Sequence, residues 1–231
     1  MFLSQRSYQK ELLDNMHIPF EDIKQNMKEL NFINTWLGGH KITIEGLKKF
    51  IRQDKKEQWH ICEIGCGGGD NLRAIEKWCS RKKLDVVFTG IDLKKECIDY
   101  AKACTPSDSY TWIVSDYREA GFQGSKPDII FSSLFCHHFS DEALHQMMQW
   151  MHSNTQHGFF INDLHRHRLA YYAIKFLTTL FSRSYLVKND APLSVKRGFS
   201  KSDWKHIMQR SGITEYAIEW KWAFRWLITA K

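Results

Sequence analysis

Short apolar runs alternate with longer segments of helical periodicity along most of the chain. Five runs have the length of a strand and are mostly apolar, at residues 59–64, 86–92, 110–114, 128–131 and 159–162. Continuous apolar runs are typical of strands that are buried on both faces of a parallel sheet. Because helical patterns separate the runs, we predict an α/β protein with helices on both faces of a mostly parallel sheet.

The segments before and after these runs have different patterns. Pro19 and two acids start a helix, and a second helical pattern ends near Ile51. We expect residues 1–55 to form a helical cap or lid and residues 56–231 to form the main domain. The sequence Ser200-x-x-Asp203 predicts a capped helix, and two aromatic-rich segments, 214–218 and 224–229, predict the last strands.

A helical insertion is predicted near residues 165–199. Its helix, 168–182, has an apolar arc that is too wide for packing on a sheet alone. We therefore expect it to pair with the N-terminal helices or to roof a lipophilic pocket. In the second case Trp36 and the Gly38-Gly39 break would close the pocket from the other side.

The first strand ends in a glycine-rich turn. Residues 63–69 read Glu-Ile-Gly-Cys-Gly-Gly-Gly, and an amphipathic helix follows. Such glycines allow positive φ and let a ligand approach the backbone, while the first amides of the helix face that ligand. A dinucleotide fingerprint fits poorly, because Asp70 stands where a pyrophosphate would lie.

Acidic or polar residues also follow the later strands. Asp92 ends the second strand, where a carboxylate can accept hydrogen bonds from ribose hydroxyls, and Asp116 follows the third. Polar clusters at 132–138 and 163–167 follow the fourth and fifth. In open α/β sheets, ligands bind beyond the carboxyl ends of the strands.

The pattern Glu63-x-Gly65-x-Gly67-x-Gly69 resembles motif I of class I S-adenosylmethionine (SAM) methyltransferases. The resemblance implies a Rossmann-like sheet of seven strands with an antiparallel last strand, and SAM as the cofactor. It also implies that Asp116 accepts from the adenine amino group. The cofactor residues that we predict are Glu63, Gly65, Cys66, Gly67, Asp92, Leu93, Asp116, Tyr117, Ser132 and Leu134.

A narrower resemblance concerns the substrate. Residues 34–40 and 163–168 resemble small-molecule methyltransferases of the quinone-biosynthesis type, including those encoded beside type III polyketide synthases. This implies a lipophilic phenolic or enolic acceptor. Residues 132–135, Ser-Ser-Leu-Phe, lack the Pro-Pro motif of DNA and glutamine methylation in this fold. They also lack the paired glutamates of arginine methylation.

Histidine is the predicted general base, since it titrates in the range needed to deprotonate a phenol or enol. The candidates are His138, His137 and His165, with Asp163 orienting one of them. We expect no metal, because adjacent histidines point apart. O-methylation and C-methylation of the same substrate remain alternatives. An NAD-dependent oxidoreductase and a non-enzymatic SAM-binding or nucleic-acid-binding module are the rival classes.

Composition changes this interpretation little. The net charge of +7 comes from scattered Lys and Arg, so we expect no nucleic-acid partner. The six cysteines include no C-x-x-C pair and indicate a reducing compartment. No signal-peptide pattern or stable membrane insertion is evident, so we expect a cytoplasmic protein. A homodimer is left open.

Overall fold

The computed structural model of the protein describes residues 3–15, 17–51, 56–122 and 124–231. The boundary expected between residues 55 and 56 adjoins positions 52–55, which lie outside the described residues. The division into a lid and a main domain therefore stays a prediction.

Seven strands form one sheet in the order β3-β2-β1-β4-β5-β7-β6. The strands β1 to β5 pair in parallel, and β7 lies antiparallel between β5 and β6. This confirms the predicted sheet and its antiparallel last strand. The strands are β1 (Gln58–Ile64), β2 (Asp85–Asp92), β3 (Tyr110–Val114), β4 (Ile129–Ser133), β5 (Gly158–Leu164), β6 (Tyr216–Lys221) and β7 (Arg225–Ala230).

Eight α-helices surround this sheet in the described part of the chain. Two precede β1, three lie in the crossovers between β1 and β5, and three lie between β5 and β6. The helices are α1 (Phe20–Trp36), α2 (Gly39–Ile51), α3 (Asp70–Lys82), α4 (Lys95–Cys104), α5 (Asp141–Asn154), α6 (Arg168–Phe181), α7 (Tyr185–Arg197) and α8 (Lys201–Arg210). The predicted capping box of Ser200 and Asp203 is present at the start of α8.

Two apolar clusters bury the faces of the sheet. On one face, α2 and α3 contribute Leu47 and Leu72 to a cluster with Phe131 and Phe160 of the strands. The other cluster joins α5 and α8 to the sheet. Because both faces are covered, the carboxyl ends of the parallel strands are the part of the sheet left for binding.

The helices α6 and α7 lie where the helical insertion is predicted, and the sequence pattern did not resolve the second of these helices. Pro192 lies inside α7 and interrupts its periodicity. Ala170 and Tyr171 of α6 pack against Val195 of α7, so α7 buries one side of α6. None of the described helices combines the length and apolar character needed to cross a membrane.

Candidate active site

A cavity of about 460 Å³ lies at the carboxyl ends of β1 to β4. Residues that follow all four strands line it, and α1 and the segment before it complete the wall. Nine of the predicted cofactor residues line this cavity: Glu63, Gly65, Cys66, Gly67, Asp92, Leu93, Asp116, Tyr117 and Leu134. The structure therefore brings together nearly all of the predicted cofactor set.

Two glycines of the turn after β1 have positive φ for different reasons. Gly65 has φ +66°, and a Cβ there would lie 2.3 Å from the Phe135 ring. Gly67 has φ +51°, and a Cβ there would meet no described atom within 4 Å. Gly65 is thus required by packing, whereas Gly67 keeps the backbone open toward the cavity.

Glu63 is buried beneath this turn. Its Oε1 accepts a hydrogen bond from Asn71 Nδ2 at 2.8 Å, whereas Oε2 is buried without a hydrogen-bond partner among the described residues. Burial raises the pKa of this carboxyl well above its ordinary value. A buried carboxyl oxygen without a partner at the wall of a cavity is a position where a polar group of a ligand can complete the hydrogen bonding.

The acids after β2 and β3 also hold the backbone around the cavity. Asp92 Oδ2 accepts from the Gly67 amide at 2.8 Å, and Oδ1 accepts from the Lys94 amide at 2.9 Å. Because each carboxylate oxygen has two lone pairs, Asp92 retains capacity for ribose hydroxyls. Asp116 caps the short 3₁₀ turn Tyr117–Glu119 and pairs with Arg118 at 2.6 Å.

The cover of the cavity comes from the N-terminal part of the chain. Ile23, Met27 and Leu30 of α1 line the cavity, and so does Leu13 of the preceding 3₁₀ turn. No described residue of α6 lines it, and Trp36 is 75% exposed. The prediction that helix 168–182 and Trp36 enclose this pocket is wrong, because α1 lies over the strand ends and α6 packs on α7.

His138 lies on the wall of the cavity beside Asp14. Its Nδ1 is 2.9 Å from Asp14 Oδ1, and its Nε2 is 3.8 Å from Glu11 Oε2, longer than a hydrogen bond. Burial opposes ionisation of Asp14, but the hydrogen bond with His138 and the charges of His138 and Arg197 outweigh it. The pKa of Asp14 is therefore held well below its usual range.

A second histidine–carboxylate pair lies behind the first and is buried. His137 Nδ1 is 2.8 Å from Asp163 Oδ1. Burial opposes ionisation of Asp163, but the charge and hydrogen bond of His137 lower its pKa. Neither residue lines the cavity, and the Arg197 Nε donates to the His137 carbonyl at 3.0 Å. This pair supports the turn that carries His138.

Two other predicted residues lie away from the cavity wall. Ser132 is fully buried, with its Oγ 3.7 Å from Cys136 Sγ. His165 Nδ1 accepts from Trp220 Nε1 at 3.2 Å, and burial lowers its pKa to about 4. Since His165 is beside the β6–β7 turn, the structure does not place it where a base for this cavity would stand.

Glu11, His137 and His138 are the described residues whose positions could hold a metal ion. The expectation that the two adjacent histidines point apart is wrong, because their ring centroids are 4.4 Å apart. However, Arg197 Nε lies 3.9 Å from Glu11 Oε1, and Ser194 Oγ donates to the same oxygen at 2.7 Å. A guanidinium and a hydroxyl already lie beside this carboxylate, so we keep the prediction of no metal.

The sequence patterns did not identify several lining residues. Asp14 and Leu13 come from a segment more than 100 positions before His138, and no local motif marks them. Their placement depends on tertiary contacts: Asp190 Oδ1 accepts from the Leu12 amide and Oδ2 from the Leu13 amide. Lys94 Nζ also donates to the carbonyl oxygen of Leu13 at 2.6 Å.

Comparison with known proteins assigns the fold. Residues 61–158 match the family model described as methyltransferase domain. The chain has the fold of a SAM-dependent methyltransferase. No curated protein sequence matches it.

Several solved structures share this fold at low sequence identity. The plantazolicin methyltransferase BpumL in complex with S-adenosylhomocysteine (SAH) has 16% identity and a TM-score of 0.63, over 91% of this chain and 90% of that one. Human N-acetylserotonin methyltransferase with SAM has 15% identity and a TM-score of 0.65, over 92% of this chain and 56% of that one. Magnesium protoporphyrin IX methyltransferase from Synechocystis PCC 6803 with SAH has 14% identity and a TM-score of 0.55, over 94% and 88%.

The charge of the cavity fits SAM better than a dinucleotide. Its described lining includes five acids against one lysine, Lys94, and the acids are Asp14, Glu63, Asp70, Asp92 and Asp116. SAM carries a cationic sulfonium and an ammonium group, whereas the pyrophosphate of NAD would be repelled. The methyltransferase domain match and the acidic lining of the cavity support SAM as the cofactor.

Proposed function

We propose that the protein transfers the methyl group of SAM to a hydroxyl of a lipophilic phenolic or enolic small molecule, of the polyketide or quinone type. The observation that carries this proposal is the His138–Asp14 pair on the wall of the cavity that contains the predicted cofactor residues. A phenol or enol reacts faster as its anion, so a positioned base is an advantage at neutral pH.

The cofactor end of the cavity consists of residues from β1 to β3. Glu63 and the turn around Gly67 are the groups for the methionine end of SAM, Asp92 for the ribose and Asp116 for the adenine. Leu93 and Tyr117 supply apolar surface beside those acids. When bound, SAM supplies an electrophilic methyl group on a sulfonium.

The acceptor end of the cavity is mainly apolar. Leu13, Met27 and Leu30 lie on the N-terminal side, and Phe135 and Phe139 on the side of β4. Asn26 and the His138–Asp14 pair are polar groups on this wall. A mostly apolar wall with a few polar groups is typical of a site for a small molecule. This supports an acceptor with an alkyl or aromatic body and its hydroxyl near His138.

His138 is the residue that we assign as the general base. The Nδ1–H donates to Asp14, which fixes the tautomer and leaves Nε2 with a lone pair to take the hydroxyl proton. Asp14 stays ionised and stabilises the imidazolium that forms. Bound SAM would supply the methyl group to the deprotonated hydroxyl oxygen and would be released as the neutral thioether SAH.

Turnover of the His138→Ala variant tests this assignment. With SAM and an alkylphenol, we expect kcat to fall by about 10²–10⁴ with SAH affinity nearly unchanged. His165→Ala is the matched control and should retain wild-type turnover, because His165 is not on the cavity wall. Wild-type turnover in His138→Ala would show that His138 is not the general base. A product methylated on carbon would show that the enzyme catalyses C-methylation and not O-methylation.

A further inference from the structure

One side of α6 exposes a continuous stripe of large apolar side chains. Leu169, Tyr172, Phe176 and Leu180 follow at helical spacing and are 65%, 54%, 64% and 58% exposed. The opposite side is buried, through residues such as Tyr171. Single exposed apolar residues are common, but a stripe over the whole length of a helix indicates an interaction surface.

Aromatic residues at the end of β6 and in the β6–β7 turn extend this surface at the N-terminal end of α6. The Phe224 ring stacks on His167, which caps α6, with 4.8 Å between their centroids. Trp220 and Trp222 have their rings 6.2 and 6.1 Å from Phe224. Both tryptophans are exposed. We call the α6 stripe and these two tryptophans the α6 surface.

The charged side chains on α6 itself are all basic. The helix contains no Asp or Glu. Arg168 and Lys175 lie seven residues apart on the same side and are exposed, and Arg183 follows the helix. An amphipathic helix with basic residues beside an aromatic and aliphatic face is typical of helices that lie in the interface of an anionic membrane.

We propose that the α6 surface binds the face of an anionic phospholipid bilayer. The apolar stripe would enter the boundary between headgroups and acyl chains, with Arg168, Lys175 and Arg183 on the lipid phosphates. Pairing with a second copy is less favourable. Lys175 is at the middle of α6, so a two-fold antiparallel pairing would place the two copies of Lys175 side by side without an acid on either helix.

The α6 surface is connected to the cover of the cavity. Glu29 of α1 accepts from the amides of Arg183 and Ser184 at 3.0 and 3.1 Å, and also from the hydroxyl of Ser182. The end of α6 is thus joined to the helix that lies over the acceptor end. If the proposed function holds, bilayer binding places the cover of the cavity next to the membrane, in which a lipophilic acceptor dissolves.

Sedimentation of the full chain with vesicles tests this proposal. We expect binding to vesicles of phosphatidylcholine mixed with phosphatidylglycerol, and much weaker binding to phosphatidylcholine alone. The double variant Phe176→Ser, Leu180→Ser should lower the partition coefficient by about tenfold or more, because two buried apolar side chains are lost. Lys175→Gln should lower it by about fivefold.

Lys205→Gln is the matched control for charge. Lys205 is exposed on α8, and its loss should leave vesicle binding unchanged. Equal SAH affinity of all the variants would show that they are folded. Absence of binding to the anionic vesicles, or equal losses for Lys175→Gln and Lys205→Gln, would overturn the proposal.

Analytical ultracentrifugation distinguishes bilayer binding from the remaining alternative, which is self-association through the α6 surface. A wild-type dimer that the double variant converts to a monomer, without vesicle binding, would assign the α6 surface to self-association and overturn bilayer binding. Vesicle binding is measured without SAM or acceptor. A failure of methyl transfer and a failure of membrane binding are therefore distinguishable.

Discussion

Individual glycines of the turn after β1 have separable roles. Gly65→Ala should destabilise the fold, because the new Cβ overlaps the Phe135 ring and φ is positive. We expect a fall in the free energy of unfolding of about 2 kcal/mol or more.

Gly67→Ala should instead mainly weaken ligand binding. The new Cβ meets no described protein atom, so stability should fall only by the cost of positive φ, about 1 kcal/mol. Since Gly67 faces the cavity, SAH affinity should fall by about tenfold or more. Thermal unfolding and calorimetry measure the two effects. Equal loss of stability in both variants would contradict this separation.

Asp14 links the candidate base to the pH dependence of stability. Its folded-state pKa is below that of the unfolded chain, which is about 4. The stabilisation is therefore complete above that pH and is lost as the pH falls through the folded-state pKa.

Asp14→Asn removes this contribution. Between about pH 5 and pH 3, the melting temperature of the wild type should fall more steeply than that of the variant. Asp108→Asn, at an exposed position before β3, is the control and should follow the wild type. Parallel curves for wild type and Asp14→Asn would show that the His138–Asp14 pair contributes no net stability.

At the scale of elements, the sequence predicted the sheet better than the cover. The continuous apolar runs and the residues after them fix the strands and their binding edge, because parallel strands end at one side of the sheet. Nine predicted cofactor residues consequently meet at one cavity. The cover was not predicted, because Leu13 and Asp14 are held by Asp190 and Lys94, which are remote in sequence.

The helix α6 also shows that the sequence pattern does not predict tertiary packing. The wide apolar arc predicted for this helix is present in the structure. However, hydrophobic periodicity cannot distinguish a helix face that packs on protein from one that is exposed. Only the positions of α7 and α1 show that Phe176 and Leu180 are exposed and that Met27 and Leu30 line the cavity.

The apolar residues of α1 should set the preference for the acceptor. A three-carbon extension of an alkylphenol should tighten binding by about 2 kcal/mol, at about 0.8 kcal/mol for each buried methylene. Met27→Ser should weaken this dependence on chain length, because Met27 lines the cavity.

Phe32→Ser is the control on the same helix, since Phe32 is 61% exposed. The values of kcat/KM along a series of alkylated phenols provide the measurement. A flat series, or a preference for the shortest and most polar phenol, would contradict a lipophilic acceptor site.

At the scale of the whole molecule, the sheet carries an acid-rich cavity at its strand ends, and α1 with the 3₁₀ turn before it covers this cavity. The sheet order and the methyltransferase domain match define the fold, and we propose that the acids of the cavity favour a cationic cofactor. The substrate preference rests on the cover, and the proposed bilayer contact rests on α6. These proposals therefore concern different elements and can be tested one at a time.

Isothermal titration calorimetry with SAH and with NAD tests the central claim most directly. We predict one-to-one binding of SAH to the wild type and none of NAD, because the cavity wall is acidic. Asp92→Ala should weaken SAH binding by about 1.5–3 kcal/mol, the scale of hydrogen bonds to a charged group. Binding of NAD without any response to SAH would contradict the account.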